Sequence, residues 1–176
     1  MKLKMLVFCA ATVAVGAAAA DDEFGRIEAD YGGETRVWHT ISLEQGGEFH
    51  ASAEYRKTSM ITTLHVQGHP ELKFTTSDVL SIDLTWMGEP KPGEAPISVE
   101  MMFMPEGMKG PFWISADAPE AAEADLAVEL DGDRGRVSGT FSGMLCRQAD
   151  MTTPPDTSDC KSISGTVDSG LLVTEE

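Results

Sequence analysis

The chain contains no asparagine, so it carries no N-glycosylation sequon. Together with the alanine-rich start, that absence points to a GC-rich bacterial coding sequence and says nothing of function. Basic residues are scarce: 13 Lys and Arg stand against 29 Asp and Glu, for a net charge of −16. A field of that sign repels nucleic acid and anionic membrane surfaces, so neither is expected as a partner. It suits a solvated acidic surface, a salty medium, a cationic partner or a metal ion. Cysteine is rarer still, with Cys9, Cys146 and Cys160 the only three. Long hydrophobic runs are missing everywhere except at the start of the chain.

That start has three parts. Lys2 and Lys4 are positive, residues 5–20 carry no charge and end in a run of alanines, and Asp21-Asp22-Glu23 turns abruptly acidic. This is the order of a cleavable Sec signal peptide, with an apolar stretch too short for a comfortable membrane anchor. The expected cut follows Ala20, with Ala19 as the alternative, and leaves no membrane anchor. Cys9 does not make a lipobox, because the preceding Phe8 is too bulky for lipoprotein processing. Removal of Lys2 and Lys4 with the leader leaves 11 basic residues against 29 acidic ones, a net of −18. The destination is the periplasm or the outside of the cell. Residues 21–176 have a normal length for one domain with a core of its own. Their two cysteines, Cys146 and Cys160, are expected to be oxidised to a disulfide in such a compartment.

After residue 20 no stretch holds a helical period beyond about two turns. Short alternating runs recur instead, at 26–31, 35–42, 51–57, 61–66, 79–86, 97–104, 112–115, 126–130, 136–146 and 161–173. Turn signals separate them, among them Gly32-Gly33, Gly46-Gly47, Gly68-His69-Pro70 and the proline-rich 88–96. This spacing predicts an all-β fold, an antiparallel sandwich or flattened barrel of about eight to ten short strands. Residues 117–125, rich in Ala and Glu, are the one expected helical turn.

The two cysteines also predict a register. If they oppose each other across an antiparallel pair, Phe141 faces Gly165, Gly139 faces Val167 and Gly143 faces Ile163. On the other face Thr140 meets Thr166 and Ser142 meets Ser164. Each glycine then sits opposite a bulky residue, and the polar face pairs like with like, which cross-strand packing rewards. Directly opposed Cα atoms lie within disulfide reach. Closing a ring of about 15 residues, with Pro154-Pro155 in the loop, is worth on the order of 3 kcal/mol.

The residues that could carry chemistry are few. Met101, Met102, Met104 and Met108, with Met87 upstream, could present soft thioethers to Cu(I); the same residues also suit irregular core space. His65 and His69 have an i, i+4 spacing that favours a shared metal on a helix. On a strand the same spacing separates them by about 13 Å, so a surface histidine pair is the simpler expectation. Asp131-Gly132-Asp133-Arg134-Gly135 begins like a Ca²⁺ loop, yet the position that needs a bidentate Glu is Ser142, and a hairpin turn explains it better. Asp168-Ser169-Gly170 matches the D-S-G of aspartic proteases, which require two such aspartates sharing a proton. No G-x-S-x-G elbow and no phosphate-cradling loop occurs, so no cofactor is expected. Trp38, Trp86 and Trp113, if exposed, could stack on sugar rings or another small ligand; in the core they would mark nothing.

These readings predict a non-enzymatic exported domain that binds a small molecule or a protein, or serves a structural role. A Met-based metal handler, a carbohydrate module and a hydrolase with an unrecognised acid pair are the alternatives. The oligomeric state is left open.

Overall fold

The computed structural model describes residues 21–91 and 93–175. The expected signal peptide and its cleavage site lie outside the described residues. Eleven strands follow in chain order: β1 Asp22–Tyr31, β2 Glu34–Gln45, β3 Glu48–Ala51, β4 Ala53–Lys57, β5 Ile61–Gly68, β6 Val79–Met87, β7 Ser98–Met104, β8 Phe112–Ile114, β9 Glu123–Asp131, β10 Arg134–Gln148 and β11 Asp156–Glu175. They form one sheet in the order β3-β2-β1-β11-β4-β5-β6-β7-β8-β10-β9, and the pairing of β10 with β11 closes it on itself. The all-β fold expected from the sequence, a sandwich or flattened barrel of short strands, is therefore present as one large sheet of eleven strands. One pairing, β11 with β4, is parallel, so the sheet is mixed.

The long hairpin β10–β11 organises the rest. Along its outer edge β11 pairs first with β1 over residues 163–169 and then with β4 over 172–175. β10 pairs with β9 over 134–142 and with the short β8 over 146–148. Strands β4 to β8 thus form a second layer, tied to the first at opposite ends of one hairpin.

Its register is the one the cysteines imply. Phe141 opposes Gly165, Gly139 opposes Val167, Gly143 opposes Ile163, and Cys146 opposes Cys160. The disulfide is formed, with its Cα atoms 4.0 Å apart. The structure adds a second reason for two of the glycines. A Cβ on Gly165 would strike the Glu28 carbonyl oxygen of β1, and one on Gly139 would strike the Asp125 carbonyl oxygen of β9. Gly139 also has φ 149°, a conformation that side chains avoid. Both glycines therefore let a third strand close in on the hairpin.

Two elements differ from expectation. Residues 117–125 form no helical turn: β9 begins at Glu123, because Ala124, Leu126 and Val128 alternate inward while their neighbours stay exposed. Strand pairing along β10 outweighs the helix propensity of a short Ala-Glu run. The expected strand 51–57 is two strands, broken at Ser52, whose hydroxyl accepts a hydrogen bond from the Ile41 amide at 2.8 Å.

The core lies between the layers. Ile27, Trp38, Leu64, Ile82, Phe103, Phe141, Leu145 and Leu171 are among its buried side chains. Tyr31 packs edge-on against Phe103 and Trp113, with ring centroids at 5.1 and 6.2 Å. Arg36 lies 5.0 Å from the centroids of Trp38 and Phe103 and is held by both carboxylate oxygens of Asp78, at 2.7 and 2.8 Å. A guanidinium so fixed covers the aromatic end of the core while keeping its charge paired.

Candidate functional site

The three tryptophans do not form a stacking platform. Trp38, Trp86 and Trp113 are only 1%, 6% and 9% exposed. The indole N–H of Trp38 donates to the Asp78 carbonyl at 3.0 Å and that of Trp86 to the Glu94 carbonyl at 3.1 Å. Large rings gain most when buried, provided the N–H finds a partner, and here two loops supply one.

The methionine run divides between faces. Met101 is buried against the core and opposes Ile82, whereas Met102 and Met104 point to the other side of β7, opposite Ser81 and Val79. Met108 is exposed on the single turn Gly107–Lys109. Met87 pairs with Ile61 at the opposite end of β6. Alternation on a strand, which a count of methionines ignores, parts Met101 from Met102 and Met104.

His65 and His69 are likewise parted. The Nδ1 of His65 lies 2.6 Å from the Asp83 carboxylate on the outer face of β5 and β6. That hydrogen bond raises the pKa of His65 above its ordinary value. The ring of His69 is buried; its Nδ1 accepts from the Thr75 amide at 3.1 Å, and burial lowers its pKa. Among the described residues no three His, Cys, Asp or Glu side chains come together in a metal-binding arrangement.

The remaining motifs lie in a turn and in cross-strand pairings. Gly132 and Asp133 form the turn between β9 and β10, with Gly132 at φ 62°. Asp168 pairs with Arg136 on the outer face, while the hydroxyl of Ser169 is buried against Thr40 at 2.7 Å. The His65–Asp83 pair was not visible in the sequence. It depends on β5 and β6 being neighbours in register, which spacing along the chain does not state. It has the geometry of a base and its orienting acid, yet among the described residues no hydroxyl hydrogen-bonds the free ring nitrogen.

A different surface draws functional groups together. Across β2, β1, β11, β10 and β9, the outward residues line up in cross-strand rows. One row runs Thr35, Asp30, Ser164, Ser142, Glu123, and the next runs Val37, Glu28, Thr166, Thr140, Asp125. Short hydroxyl side chains thus occupy the middle two strands, with longer carboxylates on both sides. The difference in length makes a trough. Over β9, β10 and β11 an open hollow of about 440 Å³ lies on these rows, lined by Glu123, Asp125, Thr140, Ser142 and Ser164 together with Ala124, Phe141 and Gly165.

Charge is unevenly balanced along this face. Below the trough, Arg136 pairs with Asp168, and Arg26 reaches Glu28 at 3.4 Å. Asp30 accepts the Gly33 amide at 2.9 Å. Among the described residues Glu123 and Asp125 form no salt bridge. Carboxylates accept hydrogen bonds only, and hydroxyls both accept and donate. The trough can therefore receive ammonium, guanidinium or hydroxyl groups. The hydroxyl pairs were legible in the sequence; the flanking acids were not, because they come from strands distant in the chain. Comparison with protein families, curated proteins and solved structures finds no match to this chain.

Proposed function

We propose that the chain is an exported, non-enzymatic binding domain, and that its trough on β1, β11, β10 and β9 takes a cationic partner. The observation that carries this reading is the pair of hydroxyl rows held between carboxylates, with Glu123 and Asp125 left without a countercharge among the described residues. A net charge of −16 adds long-range attraction for a cation. The buried polar side chains among the described residues include no carboxylate, so the acids serve at the surface, in contact with whatever arrives from solution. The disulfide supports export to an oxidising compartment, the periplasm or the exterior.

The test is a titration of ¹⁵N-labelled protein with deca-lysine at low and at physiological salt. Expected are shift changes centred on Glu28, Asp30, Glu123, Asp125, Thr140 and Ser142 that weaken as salt screens the charges. Shifts scattered evenly over the surface, or none, would overturn the reading.

A further inference from the structure

The sheet has two ends, and they differ in a way that bears on partners. β3 is four residues long and begins after the Gly46-Gly47 turn. Its Phe49 is covered by the guanidinium of Arg134, 3.8 Å from the ring centroid. So short a strand offers little for another chain to pair with, a common protection of sheet edges. β9 is nine residues long. Among the described residues it pairs with β10 alone, and its other edge carries no strand. No proline, lysine or arginine interrupts that edge.

The side chains of β9 alternate with a clear chemistry. Glu123, Asp125, Glu129 and Asp131 point outward and are exposed; Ala124, Leu126 and Val128 point inward and pack against the core, though only half-buried. Leu130, next on the same side, is 47% exposed. The apolar layer is therefore left open along this margin, beside a row of unpaired backbone groups.

From this geometry we infer that β9 is an acceptor edge for a partner protein, whose extended segment adds as a further strand. That segment alternates basic and apolar residues. Its backbone satisfies the free N–H and C=O groups of β9. Its apolar side chains cover Leu126, Val128 and Leu130, and its basic ones oppose the carboxylates, since opposite charges on facing strands attract and like charges repel. The same rule disfavours a second copy of this chain at that edge, because β9 against β9 would set acids on acids. The inference rests on the proposed cationic partner and specifies how such a partner is held.

The experiment compares two nine-residue peptides of alternating lysine and valine. One has an ordinary backbone. In the other, alternate amides are N-methylated, which keeps charge and side chains but removes the donors that strand addition needs. Affinity is measured by calorimetry and amide exchange in β9 by NMR. The ordinary peptide is expected to bind about tenfold more tightly than the methylated one, and to slow exchange of the β9 edge amides at least about tenfold.

Equal binding of both peptides with unchanged β9 exchange would overturn strand addition and leave the acidic-face reading standing. Failure of both to bind would overturn the two together. Slow β9 exchange in the free protein, with a dimeric mass by sedimentation, would assign the edge to a second copy and overturn the inference.

Discussion

The β10–β11 hairpin has two faces built from the same residues in alternation, and they obey different rules. On the inner face Phe141, Ile163 and Val167 each meet a glycine, and every exchange of size meets a neighbour. On the outer face Thr140 meets Thr166 and Ser142 meets Ser164, with room above them. Close packing makes the inner face intolerant of volume changes. The outer face tolerates change in stability and depends on its chemistry only when something binds. On the proposed reading, fold and function are separated by the pleat of a strand.

The largest effects that could break this contrast belong to the inner face. Phe141→Ala removes a ring from a site that glycine at 165 cannot refill, and is expected to cost about 3–5 kcal/mol in urea unfolding. Gly139→Val adds volume where β9 closes in and φ is positive, and should cost about 3 kcal/mol or more. A loss under about 1 kcal/mol for either would mean that the face is loosely packed.

The disulfide comes next. Replacing Cys146 and Cys160 together by serine should lower stability by about 3 kcal/mol while leaving the far end of the hairpin, around Arg134 and Leu172, unchanged in its NMR spectrum. Smaller again is the outer face. Thr140→Val with Thr166→Val should stay within about 0.5 kcal/mol of the parent per site, yet weaken deca-lysine binding.

The two histidines repeat the contrast at the smallest scale. His65, on an outer face, has a raised pKa through its Asp83 hydrogen bond. The folded state thus holds its proton more tightly. Its contribution is full below the ordinary value of about 6.5 and is lost as pH rises through the higher folded value. His69, in the core, has a lowered pKa through burial. Its effect runs the other way: stability falls as pH drops below about 6.5 toward the folded value. Unfolding curves of His65→Gln and His69→Gln between pH 5 and 8 should differ from the parent in opposite directions. A shared direction would contradict the placement of one of them.

Much of the fold was legible because its signals are local. Alternation and turn glycines located most strands, and one cysteine pair fixed the register of the central hairpin. The misreadings arose where a local signal competed with pairing at a distance. Residues 117–125 have helical composition but gain more as the entry to β9, and the missed β3 is only four residues long. The site was half legible. Thr140, Ser142, Ser164 and Thr166 belong to the hairpin and could be paired in advance. Glu28, Asp30, Glu123 and Asp125 join them only because β1 and β9 flank that hairpin. The tryptophans and methionines stand out in the sequence by rarity and clustering, but burial of the indoles and alternation along β7 place them.

The most direct test measures stability and deca-lysine affinity on one double variant, Glu123→Gln with Asp125→Asn. The expected result is stability within about 0.5 kcal/mol per site and affinity reduced about tenfold, the loss of two exposed charge contacts of about 0.5–1 kcal/mol each. Unchanged affinity, or a loss of stability that accounts for the loss of binding, would contradict the division of labour between the two faces.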